Sequence, residues 1–260
     1  MNRSVLDIEN LTVGYKNQSV VQNINFHLKT GEFCAIVGVN GIGKSTLLRT
    51  LGNLQPPLSG QIKLHQTPLE NYSFSKIAQE IALVLTEPIA TKNLTVRELV
   101  TLGRQPYTNW LGNLTNDDKL QIDLCLKTFD LESLKDRKCF ELSDGQLQRV
   151  LIAKAMAQDT PIILLDEPTT HLDLSHKVQI FKLLQQLAHE HEKTVLFTTH
   201  EIDMALQLCD KMLLLNSSEN LFGSPKELIK KGVFDTLFPS DLVEFDKKTA
   251  SFRLKKWGLS

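Results

Sequence analysis

The sequence predicts an α/β fold, a largely parallel sheet with helices on its faces. Three observations predict it. Short apolar runs, IALVL (81–85), IILLD (162–166), TVLFT (194–198) and KMLLL (211–215), recur with helical stretches between several of them. Another such run, FCAIV (33–37), ends in a glycine-rich loop and passes into a helical pattern from about Lys44 to Leu54. Between about 88 and 160 the texture changes to helix upon helix, which reads as a helical subdomain inserted into the sheet.

In chain order, residues 5–13 and 20–28 read as strands, the second with Ile24, Phe26 and Leu28 alternating against polar neighbours. Thr30-Gly31-Glu32 turns the chain into the FCAIV strand. Within the helical stretch, Thr95 with Glu98 forms a capping box, and Thr115-Asn116-Asp117-Asp118 marks another helix start. A third start is LSDGQLQRV (142–150), where the Ser143 hydroxyl accepts from first-turn amides and Gln146 reaches back. Asp144 falls in its first turn, favourable against the helix dipole. FDKKTASFRL, near the end, reads as a small hairpin, so the chain divides into 1–238 and a β appendage at 239–260.

Composition narrows the functions. A chain of 260 residues is long enough for one large α/β domain or a core with an inserted subdomain. Cys34, Cys125, Cys139 and Cys209 are scattered, with no CxxC spacing, so a reducing cytoplasm is the default reading. The N-terminus alternates like a strand and has no basic region before a long apolar run, which argues against a secretory signal. No stretch reaches the ~18 to 20 apolar residues that cross a bilayer, so work at a membrane would need another, spanning chain. A formal net charge of −1 argues against a broad nucleic-acid footprint.

GVNGIGKST, Gly38 to Thr46, fits G-x-x-x-x-G-K-[ST] after a buried strand and before a helix, the context in which that pattern cradles a polyphosphate. Gly38, Gly41 and Gly43 let the backbone curl so that loop amides, those of Val39, Asn40 and Ile42 included, face the phosphates. Lys44 adds a point charge and Ser45 offers a hydroxyl to Mg²⁺. IILLDEP ends an apolar strand in Asp166, placed to hold Mg²⁺, and Glu167, placed to polarise an attacking water as general base. His200, after TVLFT, falls on the same sheet edge, where a γ-phosphate contact is reasonable. His189 and His191 read as a solvated helix end rather than metal ligands.

These motifs together resemble one family, the ATP-binding subunits of ABC transporters, over about residues 1 to 240. In order they are Tyr15, the phosphate loop 38–46, LSDGQ at 142–146, Asp166-Glu167, HLD at 171–173, and His200. The resemblance implies a P-loop NTPase fold with a RecA-like core, an N-terminal antiparallel β subdomain and the inserted helical subdomain. It implies ATP and Mg²⁺ as ligands, with Tyr15 stacking on adenine. Ser143, Gly145 and Gln146 would belong to a signature that binds the γ-phosphate of ATP held by a second subunit, and Asp173 would lie at the seam. A helix start is an anion site, and one phosphate loop leaves one side of a triphosphate uncovered. One chain with one loop and one signature therefore implies a homodimer in which each copy completes the other's site.

Two positions depart from the family pattern. Asp144 stands where the family has glycine, and Glu87, in VLTEP, stands where it has a glutamine that touches Mg²⁺ or the lytic water. A glutamate can ligate Mg²⁺ but, when ionised, cannot donate a hydrogen bond. Within the family, AQDTPIILLDEPTTHLDLSHKVQI and LTVRELVTLGRQPYT look like the importers of ferric siderophores, haem and cobalamin. That implies a peripheral ATPase on the cytoplasmic face of the inner membrane, driving a polytopic permease fed by an external substrate-binding protein. Another importer, an exporter or a soluble ABC-type ATPase on ribosomes or DNA would share the nucleotide chemistry. The soluble kind usually carries two cassettes or a long coiled coil, and this chain shows neither.

Overall fold

In the computed structural model, residues 4–16, 18–86, 93–216, 219–237 and 243–255 are described. The chain opens with two long antiparallel strands, β1 (Ser4–Tyr15) and β2 (Gln18–Lys29). Along β2 the buried residues are Val21, Ile24, Phe26 and Leu28, the alternation of a strand with one face on a core. β3 (Phe33–Val37) is buried throughout and feeds, through the glycine-rich loop, α1 (Lys44–Leu51). The helix stops three residues before the apolar pattern does, because Gly52 caps it and Asn53 turns left-handed at φ 56°. β4 (Ser59–Leu64) and β5 (Thr67–Pro68) then complete a four-stranded sheet ordered β2-β1-β4-β5.

The second sheet begins after α2 (Phe74–Glu80) with β6 (Ile81–Val84). A helical segment follows, with α3 (Val96–Thr101), α4 (Asn116–Thr128) and α5 (Asp144–Ala157). All three start on capping boxes, at Thr95, Thr115 and Ser143. Inside this segment Arg104 Nε donates to Asp118 Oδ1 at 2.8 Å and Arg104 Nη1 to the Ala157 carbonyl at 2.8 Å, tying the 3₁₀ turn at 102–107 to α4 and α5.

The chain returns to the sheet with β7 (Ile162–Leu165), α6 (Leu174–His189), β8 (Thr194–Thr198), α7 (Ile202–Leu208), β9 (Lys211–Leu214), β10 (Leu221–Gly223) and α8 (Pro225–Lys231). Strand order is β10-β9-β3-β8-β7-β6, parallel except for the antiparallel edge strand β10. One face packs on the first sheet and α1 through Ile36, Leu47, Leu164 and Leu196. The other packs on α5, α6 and α7 around Phe33, Phe181 and Phe197, with the Phe33 and Phe197 rings stacked at 4.8 Å. Helices on this face and a second sheet on the other leave the carboxyl edge open, and the loops after β3, β7 and β8 meet there.

A terminal hairpin, β11 (Val243–Asp246) and β12 (Ser251–Leu254), packs Phe245 and Phe252 on Phe234. Its Phe252 amide donates to Asp203 Oδ1 on α7 at 3.3 Å. Among the described residues no helix is long and apolar enough to cross a membrane.

Candidate functional site

The glycine-rich loop is shaped by what surrounds it. At Gly43, φ is +111° and a Cβ would lie 2.6 Å from Val20 Cγ1 and Val21 Cγ2, so no other residue fits there without displacing β2. This turn aims the start of α1 at the mouth of the loop, where first-turn amides favour an anion. Lys44 lies almost wholly buried, and its Nζ donates to the carbonyls of Gly38 at 3.0 Å and Val39 at 3.3 Å. Burial lowers its pKa, while Glu167 and Asp166 pull the other way.

Beside it, Ser45 Oγ donates to Asp166 Oδ1 at 3.0 Å. A hydroxyl and a carboxylate side by side at a phosphate-shaped loop are hard oxygen donors of the kind that suit Mg²⁺, so the donor set fits a magnesium nucleotide. Three threonines that sequence reasoning missed hold the acidic pair. Thr198 Oγ1 donates to Asp166 Oδ1 at 2.7 Å and accepts the Glu167 amide at 2.8 Å. Thr86 Oγ1 donates to Asp166 Oδ2 at 3.4 Å, and Thr170 Oγ1 to Glu167 Oε2 at 3.0 Å. The signal for Thr198 was its place at the end of TVLFT, two residues before His200, but its use depends on which strands are neighbours.

Glu167 turns left-handed at φ 47°, an uncommon conformation for a non-glycine residue. Its Oε1 lies 2.7 Å from His200 Nε2. Carboxylates only accept, so the imidazole donates through Nε2 in this arrangement. His200 precedes α7 by two residues, and its side chain is half-exposed at the sheet edge. Tyr15, half-exposed at the end of β1, accepts at Oη from Thr46 Oγ1 at 3.3 Å. The structure thus gathers Tyr15, residues 38–46, Asp166, Glu167 and His200.

Among the described residues Ser143, Gly145, Gln146 and Asp173 share no hydrogen bond with that group. Gln146 N–H donates to Ser143 Oγ at 3.3 Å and Ser143 N–H to Gln146 Oε1 at 3.0 Å, the reciprocal cap that starts α5. Asp173 caps α6 without a return bond to its own amide, accepting from the His176 amide at 2.9 Å. Among the described residues no hydrogen bond joins residues 142–146 to the phosphate loop of the same chain, and Asp144 is exposed. Glu87 lies outside the described residues. His189 Nε2 lies 2.8 Å from Asp210 Oδ2, in an exposed pair.

The chain as a whole resembles proteins of one family. The ABC transporter family model matches residues 21–170. An achromobactin transport ATP-binding protein of Dickeya dadantii is 37% identical over 232 residues, 89% of this chain and 86% of that protein. The ferric enterobactin transport ATP-binding protein of Escherichia coli K12 is 33% identical over 231 residues, 88% of this chain and 85% of that one. Among solved structures, a putative metal-chelate type ABC transporter in an inward-facing conformation superposes with a TM-score of 0.80 at 31% identity, covering 96% of this chain and 95% of its own. A dimeric bacterial ABC transporter cassette matches with a TM-score of 0.69 at 31% identity, covering 81% and 94%.

Proposed function

The chain belongs to the ABC transporter family of ATP-binding proteins, and from that membership we propose that it powers uptake of a ferric-siderophore, haem or cobalamin-type cargo through a separate membrane permease. Members of this family are ATPases coupled to transport, and the chain is one of them. The observation that carries the site assignment is the joint placement of Ser45 Oγ at 3.0 Å from Asp166 and His200 Nε2 at 2.7 Å from Glu167, on one edge of the sheet beside Lys44.

In this reading Tyr15 stacks on adenine, the loop amides and Lys44 bind the phosphates, and Ser45 and Asp166 hold Mg²⁺. Mg²⁺ bound there would supply Lewis-acid neutralisation of the phosphate charge. Glu167 accepts a proton from the attacking water, and His200 holds that carboxylate in place while its ring stays near the γ-phosphate position. Ser143 and Gly145 serve the ATP of a second copy, with Asp173 at the seam, so two chains related by a two-fold axis make two complete sites. Closure of that pair around ATP, and its release on hydrolysis, bias the permease between its two faces.

Support for the cargo comes from relatives at 33 to 37% identity whose names specify achromobactin, siderophore, ferric enterobactin and iron(3+)-hydroxamate transport, and support for the direction from the last, which is named for import. The chain would then sit on the cytoplasmic face of the membrane, against a polytopic permease that receives cargo from an external binding protein. The test is affinity purification of the tagged chain from gently solubilised membranes of its source, with mass spectrometry of what accompanies it. A multi-helix permease, followed by ATP-dependent uptake of a labelled ferric siderophore, haem or cobalamin in cells carrying both chains, supports the proposal. Recovery of a ribosome or of soluble partners alone contradicts it while leaving the phosphate chemistry intact.

A further inference from the structure

His176 touches, with different parts of its ring, two residues that the two-subunit site uses. Its Nδ1 lies 2.9 Å from Asp173 Oδ2. Through Oδ1 the same carboxylate accepts the His176 amide at 2.9 Å and Ser175 Oγ at 2.8 Å. These bonds, the backbone one foremost, hold the Asp173 carboxyl well below the usual carboxylate range. Because a carboxylate only accepts, Nδ1 carries a hydrogen, which fixes the ring plane.

The other side of the ring lies over Gly145. A Cβ built on that glycine would be 2.9 Å from His176 Cδ2, 3.3 Å from Cγ and 3.5 Å from Nε2. Only glycine lets the ring and the helix start come this close, which explains why Gly145 is buried although Ser143 and Asp144 beside it are exposed. The two helices belong to different parts of the molecule. α5 packs chiefly on α3 and α4, in the helical segment, whereas α6 packs on β3, β8 and α7. Lys177, next along α6, is paired with Glu201, the neighbour of His200. The ring therefore joins the tip of the helical segment to the part of the sheet edge that carries His200.

We propose that His176 is a positioning residue that ties the Ser143–Gly145 helix start to Asp173, so that both meet the second subunit's nucleotide as one surface. The inference rests on the two-subunit reading above and goes beyond it by naming the contact that sets the geometry of the donated half. Neither end of the link belongs to the phosphate loop of its own chain, so loss of His176 acts on assembly and turnover and spares nucleotide capture by a lone subunit.

The test places His176→Ala and His176→Asn in a Glu167→Gln chain and follows assembly by light scattering as Mg-ATP is raised. Alanine removes both contacts; asparagine keeps a donor for Asp173 and removes the ring edge at Gly145. The expected result is about a tenfold rise in the ATP concentration for half-assembly with alanine, the order set by loss of one hydrogen bond to a charged group, and a smaller rise with asparagine. Labelled-ATP binding to the monomer stays unchanged and the melting temperature falls by no more than a few degrees, the cost of one bond, whereas a merely structural role would lower nucleotide binding along with assembly. Should the alanine variant fail to fold, the asparagine variant decides alone. Assembly at the parent's ATP concentration overturns the inference and leaves the two-subunit reading standing. A Glu167→Gln parent that stays monomeric overturns both.

Discussion

His200 Nε2 lies 2.7 Å from Glu167 Oε1, while Thr170 Oγ1 holds the other oxygen of that carboxylate at 3.0 Å. Both donors orient the carboxylate and each oxygen keeps a lone pair, so the group is steered without being spent. Glu167→Gln should lower kcat for ATP hydrolysis by about 100- to 10,000-fold, the usual loss for a general base, with ATP binding retained. His200→Ala should also lower kcat. Because the two act as one unit, the double variant should be little worse than Glu167→Gln alone. Steady-state phosphate release from the four proteins checks this.

Thr198 carries weight out of proportion to its lack of direct substrate contact. It donates to Asp166 Oδ1 at 2.7 Å and accepts the Glu167 amide at 2.8 Å. Thr198→Val keeps the shape and removes both bonds, leaving the buried Asp166 short of a donor and the left-handed Glu167 amide unpaired. Activity, or apparent Mg²⁺ affinity, should fall about 10- to 100-fold, as for other partners that orient metal ligands. Magnesium titration of the hydrolysis rate reads it.

Arg104 and Asp118 form a buried ion pair in the helical segment, at 2.8 Å and with side chains 10% and 3% exposed. Arg104→Ala should destabilise the protein by about 3 to 5 kcal/mol, because it strands a buried carboxylate. Burial alone would raise the Asp118 carboxyl, but hydrogen bonds from the Thr115 hydroxyl and amide and from Arg104 outweigh it and hold it below its ordinary value. A depressed native pKa means this contribution is complete above the unfolded value of about 4 and is lost as pH falls through the lower native one. Urea melts at several pH values should show that acid sensitivity shrink in Asp118→Asn.

All four cysteines are free and buried. Burial pushes the Cys125 thiol up to about 12, with Asp159 adding to the shift, and raises the other three as well. Thiolate is the reactive form, so Ellman's reagent at neutral to mildly alkaline pH should label none of the four rapidly in the native protein and all four after denaturation.

Much of this was legible in the sequence where the information is local. Strand, glycine loop and helix around 33–51 follow from an apolar run, the glycines and Lys44-Ser45-Thr46. The capping boxes at Thr95 and Ser143 and the helix start at Thr115 need only a four-residue window. β4 is harder to read, since in SGQIKL only Ile62 and Leu64 are buried and its partner β1 is about fifty residues away. Thr198 was illegible for a related reason. Its role follows from the parallel register that pairs Leu165 with Phe197 and so sets Asp166 beside Thr198. The His176–Gly145 contact likewise needs two helix starts brought together across the fold.

The most direct test of the central claim, that each site is completed by a second copy, is the molar mass of Glu167→Gln by light scattering with and without saturating Mg-ATP. The account predicts a monomer without nucleotide and a doubling of mass with it, abolished by Ser143→Arg in the same chain. A mass that stays monomeric at saturating Mg-ATP, or a dimer indifferent to ATP and to Ser143→Arg, would contradict it.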